Sequence, residues 1–335
     1  MSDAATGRRP SIRDVARLAG VSHQTVSRVI NDHPSIRPET RERVLGVMAE
    51  LRYRPSRAAR ALVTSRSQTL GILSASSTEY GPASAIAAIE AAARERGYWV
   101  GTVNVEPGDP DSITRAIAHL LAQSVEGLVV VAPQEQVARL LAAQRLDIPV
   151  VTLQNTAVDA RQALFVDQVA GARRATAHLI ELGHRRIAHL AGPGGWFEAE
   201  ARIRGFGAEL DAHGLTAAAS VVGDWTAESG YRAGRELLRA GEATAVFSSN
   251  DQMALGVLHA AHEAGRDVPG ELSVVGFDDI PEAAHFWPPL TTVRQDFAEL
   301  GRRCVEVLLG PEGAAAAERA VMPELIVRAS TTAPR

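Results

Sequence analysis

Lysine is absent from this 335-residue sequence, so all 35 of its Lys-plus-Arg positions are arginine. Every cationic contact the chain makes therefore comes from a planar guanidinium, a donor shaped for phosphate and for guanine rather than a compact ammonium. Cysteine occurs once, at Cys304, which excludes an intramolecular disulfide and a thiolate metal site and fits a reducing compartment. Its helical setting, Phe297–Leu309, marks it as a small apolar core residue. No apolar run approaches the roughly 20 residues that span a membrane, and the opening MSDAATGRRP lacks the apolar region of an export signal, so a cytoplasmic protein is expected. Catalytic signatures are missing too: there is no phosphate-cradling Gly-rich loop with its Lys, no nucleophile elbow and no clustered metal ligands. The ten histidines are dispersed, and His259 with His262 reads as a solvated helix face. Gly192–Gly195, GPGG, reads as a loop after a strand. No enzyme, metal or cofactor is expected.

What is present is segregated. The net charge of −4 hides a basic beginning: residues 1–66 carry 13 Arg against six acidic residues, a balance of +7, and the remainder carries 22 against 33, a balance of −11. Polyanions would be met by the first segment. There, residues 1–10 are small and polar and are expected to be disordered. Ser11 to Asn31, SIRDVARLAGVSHQTVSRVIN, reads as two short helices. Ser11 caps the first with Asp14 three residues on, approximating a capping box, and Ile12, Val15, Ala16 and Ala19 keep helical spacing up to Gly20. Ser22 caps the second, whose inner face is Val26, Val29 and Ile30. His23, Gln24, Ser27 and Arg28 point the other way, with Gln24 and Arg28 one turn apart. Such a helix suits the DNA major groove, where Gln pairs with adenine and Arg with guanine. A third helix opens at Pro38, and Val44, Leu45, Val47, Met48 and Leu51 are its expected core face. Residues 11–55 thus form an all-α helix-turn-helix head, and 56–67, SRAARALVTSRS, a basic linker too short to fold alone.

From Gln68 the texture changes to apolar runs, among them TLGIL, WVGTV, GLVVVA, IPVVTL, RIAHLAG, AVFSS and LSVVGF, each followed by an amphipathic stretch. Strands buried on both faces and joined by crossover helices make doubly wound parallel sheets, and this many strands fill two α/β subdomains. Ligands in such folds bind beyond the carboxyl ends of the strands.

The blocks DVARLAGVSHQTVSRVIN, RPSRAARAL, RIRGF, GDWTAESGY, SSNDQMALG, SVVGFDD and PPLTTVRQDFAELG, in one collinear order from Ser11 to Thr332, resemble the LacI/GalR family of bacterial transcriptional repressors. The resemblance implies a homodimer on double-stranded operator DNA and a core of periplasmic-binding-protein type. That core would run over 68–332, with one subdomain at about 68–165 and 294–321 and the other at about 166–292 and 322–332. Crossovers are expected near Phe165 to Asp167, Thr291 to Arg294 and Val321 to Glu324. Carried over by position, His23, Gln24 and Arg28 read bases, while Ser22, Thr25 and Ser27 cap or touch phosphates. Leu62 is the hinge wedge for the minor groove, with Arg57 at phosphates and Ala59 small enough for close approach.

The effector positions are Tyr80, Pro82, Gln154, Arg204, Trp225, Asn250, Asp278, Gln295 and Phe297, a mix of carboxylate, amide, guanidinium and aromatic groups suited to a hydroxyl-rich ring. Asp251 and Asp279 are read as helix caps, and Trp196 as a loop residue able to line the opening. His23, Gln154 and Val131 depart from the pattern, retuning operator and ligand choice. The expected effector is a sugar, a galactoside being the favoured example, that releases the operator; a corepressing ligand and a sugar-binding protein without DNA are the alternatives. The last residues, TTAPR, carry no leucine heptads, which predicts a dimer rather than a tetramer.

Overall fold

The computed structural model describes residues 10–31, 33–54, 66–75, 78–106, 109–132, 134, 137, 146–153, 163–310 and 320–335. The readings placed on residues 1–9, on Arg57, Ala59 and Leu62 and on Gln154 lie outside them. The chain divides into two compact units, residues 1–67 and 68–335.

The first unit contains α1 (Ile12–Ala19), α2 (His23–Ile30) and α3 (Pro38–Glu50). Ser11 and Asp14 close a full capping box, the Ser11 N–H donating to Asp14 Oδ2 at 2.9 Å and the Asp14 N–H to Ser11 Oγ at 3.4 Å. Gly20 ends α1 at φ +64°, where a side chain would be strained, and so makes the tight turn into α2. Val15, Ala16, Ala19, Val26, Val29 and Val44 are buried together, with Val47, Met48, Leu51 and Tyr53 packed around them. Leu45 departs from expectation and is 48% exposed, because it sits one residue, about 100° of helix, beyond Val44.

In the second unit a six-stranded sheet has the order β11-β5-β4-β3-β1-β2, with β1 Thr69–Ser74, β2 Trp99–Asn104, β3 Gly127–Val131, β4 Val150–Leu153, β5 Ala163–Val166 and β11 Ala320–Val321. All its pairings are parallel. Alternation along each strand divides the core. Leu70, Ile72, Val129, Val131 and Val151 face α4 (Tyr80–Glu95) and α10 (Phe297–Leu309), where Cys304 is fully buried, whereas Leu73, Leu128 and Val130 face α5 (Pro110–Ala122).

A four-stranded parallel sheet follows, order β7-β6-β8-β9, with β6 Ile187–Ala191, β7 Ala219–Val222, β8 Ala245–Ser248 and β9 Ser273–Val275. One face packs on α6 (Gln168–Glu181) and α7 (Phe197–Ala212), the other on α8 (Ala227–Ala240) and α9 (Asp251–Glu263). An antiparallel pair, β10 (Thr292–Arg294) with β12 (Glu324–Ile326), lies where the chain crosses between the sheets. Both sheets repeat the order second-first-third-fourth, so each has a switch point beside its first strand, the place where such folds bind ligands.

Candidate functional site

Two sites emerge, one in each unit. On α2, Ser22, His23, Gln24 and Arg28 are exposed, Thr25 and Ser27 half-buried, and Val26 and Val29 buried. The helix therefore offers polar groups from its N-terminal half while its apolar side closes the head. Ser22 Oγ accepts from the Thr25 N–H at 3.1 Å and pairs with Thr25 Oγ1 at 2.9 Å, so these two residues serve the cap. His23, Gln24 and Arg28 stand exposed beside that cap.

The second site is a cleft of about 980 Å³ between the two sheets. Its second-subdomain wall is built from residues just past strand ends: Trp196 after β6, Trp225 after β7, Asn250 after β8 and Asp278 after β9. Tyr80 and Pro82 of α4, Val131 at the end of β3, Gln295 and Phe297 face them from the other elements. Of the nine effector positions expected from sequence, all eight described ones line this cleft.

The polar floor is a closed ring. Arg202, on α7, donates from Nε to Gln168 Oε1 at 2.9 Å, Gln168 Nε2 to Gln295 Oε1 at 2.8 Å, and Gln295 Nε2 to Asp278 Oδ1 at 2.6 Å. Arg202 Nη2 reaches the same Asp278 oxygen at 3.5 Å, and Nη1 donates to the Ser249 carbonyl. The guanidinium also lies 3.8 Å from the Phe277 ring centre. Burial pushes the Asp278 carboxyl up to about 6, against the pull of Arg202. Behind the ring His189 stacks between Phe206 and Phe247; burial first, then Arg202, hold it near 3, so it is a neutral filler.

Arg202 and Gln168 were missed from sequence, where Arg204 held the arginine role. Arg204 does line the cleft but is exposed, whereas Arg202 is 4% exposed. Helical phase carries the signal: Ala199, Arg202, Gly205, Phe206 and Glu209 form the buried stripe of α7.

Three further assignments shift. Asn250, not Asp251, caps α9: its Oδ1 accepts from the Met253 N–H at 2.9 Å, while Nδ2 donates to the Trp225 carbonyl at 2.9 Å. Asp251 is instead buried, accepting from Thr292 Oγ1 at 2.6 Å and the Ile280 N–H at 2.9 Å, and burial raises its carboxyl well above the ordinary value. Asp279 caps nothing; it pairs with Arg294 and Arg328, each at 2.6 Å, tying the crossover strands together.

Strain and close approach concentrate here. Trp225 and Asp278 have φ of +73° and +114°, a region where non-glycine residues are held only by their surroundings. A Cβ on Gly192 would fall 2.1 Å from the Trp225 ring, so the indole needs a glycine beneath it. No helix among the described residues is long and apolar enough to cross a membrane, and no group of three metal-ligating side chains occurs among them.

Residues 11–56 match the family described as bacterial regulatory proteins, lacI family, and residues 176–331 the periplasmic binding protein-like domain. The chain is 36% identical over 325 residues to the lactose operon repressor of Escherichia coli (strain K12), covering 96% of this chain and 90% of that one. The lac repressor dimer bound to operator and the anti-inducer ONPF superposes with a TM-score of 0.87 at 35% identity, over 97% of this chain and 100% of the other. The transcriptional regulator CelR–cellobiose complex gives a TM-score of 0.70 at 32% identity, over 96% and 100%. A capped two-helix reader, a cleft past the strand ends of two parallel sheets and likeness along nearly the whole chain lead to one conclusion: this protein belongs to the lacI family of bacterial regulatory proteins.

Proposed function

We propose that the chain is a dimeric transcriptional repressor that reads a near-palindromic operator with α2 and releases it when an uncharged sugar occupies the cleft. The observation that carries this is the pairing, in one chain, of exposed Gln24 and Arg28 on a capped helix with a cleft floored by Asp278, Gln295 and Arg202. Each two-pronged base contact contributes about 1–3 kcal/mol of discrimination. In the linker, the family resemblance assigns Leu62 to the minor-groove wedge, Arg57 to phosphate and Ala59 to close approach.

Dimerisation is supported by the likeness to the lac repressor, solved as a dimer on operator DNA. Cleft and head couple through differential affinity: a sugar that favours one arrangement of the two subdomains shifts the dimer away from the operator-binding arrangement. A coupling of about 1–3 kcal/mol suffices for regulation. The regulator itself carries no enzymatic step.

The test is a gel shift of the full chain on DNA from its own upstream region, titrated with galactosides, other glycosides and purines. Loss of the shifted band with a sugar supports the reading. Strengthening of the band by a ligand makes that ligand a corepressor, and product formation from any sugar exposes an enzyme.

A further inference from the structure

Glu126 does at the foot of the first sheet what backbone groups do along the rest of it. In the order β3-β1-β2 the middle strand is paired from Thr69↔Trp99 on one side and from Leu70↔Gly127 on the other. Gln68 precedes both ladders and is held from both sides all the same. Its carbonyl accepts from the Trp99 N–H at 2.8 Å, and its N–H donates to Glu126 Oε1 at 2.7 Å. The other oxygen, Oε2, accepts from the Tyr98 hydroxyl at 3.0 Å, and the Glu126 N–H donates to the Thr69 carbonyl at 2.8 Å. A half-buried carboxylate is thus devoted to fixing one backbone amide.

That amide stands at a junction. A peptide group is planar, so fixing the Gln68 N–H fixes the plane that joins Ser67 to Gln68. Gln68 also has a φ of +49°, a left-handed conformation that a residue with a Cβ keeps only where its surroundings hold it. It is the first residue of the second compact unit, and the basic stretch 56–67 precedes it. An unpaired residue in an easier conformation would give the chain slack before β1. Instead the chain enters β1 strained, and locked by groups at the starts of both neighbouring strands.

The lock also lies in line with the cleft. Glu126 immediately precedes β3, and Val131, at the other end of that strand, lines the cleft about 16 Å away at the rise of an extended chain. A close-packed sheet passes a displacement from one end of β3 to the other, whereas slack at residue 68 would absorb it.

We propose that Glu126, with Tyr98, is a positioning residue for operator recognition: it sets the direction in which the linker leaves the core and joins linker to sheet without play. This rests on the reading of the chain as an operator-binding repressor. Glu126 touches neither DNA nor effector in this role; it acts through the backbone of Gln68.

Anisotropy titrations of the full chain on a labelled duplex from its own upstream region, and on unrelated competitor DNA at the same salt, test it. Glu126→Ala should weaken binding to the upstream duplex about tenfold, the contribution of one hydrogen bond to a charged acceptor. Competitor binding should stay unchanged, since attraction to phosphates does not depend on linker direction. Glu126→Gln should keep most of the wild-type affinity, because its amide oxygen still accepts from the Gln68 N–H. Circular dichroism at the titration temperature shows whether Glu126→Ala is folded. A folded Glu126→Ala with the wild-type ratio of upstream to competitor affinity overturns the proposal and leaves the repressor reading standing. If Glu126→Ala does not fold, Tyr98→Phe, which frees the carboxylate to swing, decides in its place: a lowered ratio supports the proposal and an unchanged one overturns it. Wild-type protein that does not distinguish the two duplexes overturns both.

Discussion

Replacing Arg202 by Met removes the one cation on the cleft floor while keeping an unbranched chain of similar reach. Gln168 Oε1 and the Ser249 carbonyl then lose their donor, and Asp278 Oδ1 keeps only the Gln295 amide while its counter-charge is gone. Because Arg202 and Asp278 are 4% and 6% exposed, water cannot replace it, and breaking one partner of a buried pair costs about 3–5 kcal/mol. The cost should depend on pH. Burial already holds the Asp278 carboxyl at about 6, and loss of the guanidinium raises it further. A carboxyl raised above its unfolded value contributes its stability below the unfolded pKa and loses it as pH rises through the folded one. The deficit of Arg202→Met should thus be largest near pH 8 and shrink towards pH 5. Adding Asp278→Asn should recover about 2 kcal/mol, since no buried charge is then stranded. Urea unfolding of the full chain, followed through the core transition, measures all of this. Arg204→Met, on the exposed phase of α7, is the control and should stay within about 0.5 kcal/mol. An Arg202→Met loss below about 1 kcal/mol at pH 8, or equal to that of Arg204→Met, would refute the ring.

Other expectations follow from the same geometry. Sugar hydroxyls donate best to an ionised Asp278, so effector affinity should fall about tenfold from pH 7.5 to pH 5 in calorimetric titrations, and Asp278→Asn should flatten that profile. Gly192→Ala places a methyl 2.1 Å from the Trp225 ring and should cost about 1–3 kcal/mol in thermal or urea unfolding; in gel shifts it should blunt the sugar response while operator binding persists. Gln24→Ala, on the exposed face of α2, should weaken binding to the specific site by about 1–3 kcal/mol in anisotropy titrations and leave competitor DNA almost untouched.

The seven apolar runs read from sequence all became strands; most are buried on both faces and so leave a continuous apolar signature, whereas β2 is exposed or half-buried throughout and was legible from its β-branched and aromatic residues. β7, β10 and β12 left no such mark. β7 is half-exposed along its length, with Val222 at 65%, and β10 and β12 are three residues each. The head was legible down to its caps, since capping and turn chemistry are local; Leu45 was misassigned because adjacent helical residues differ by a third of a turn. In the cleft, the residue types past each strand end were legible, but not which of two neighbours did what. Asn250 and Asp251 are both competent caps, and only the Trp225 carbonyl and Thr292 hydroxyl around them decide between the two. Gln168 joined the ring through partners more than 30 residues away, at Arg202 and Gln295, which no local pattern reveals.

The proposed function requires that one chain couple a DNA reader to a sugar cleft. Fluorescence anisotropy of labelled upstream DNA with the full chain, titrated with galactosides and other glycosides at fixed salt, reads that coupling. Specific binding is expected that one sugar reverses in wild type but not in Asp278→Ala. Specific binding indifferent to every sugar, or no specific binding at any salt concentration, would contradict it.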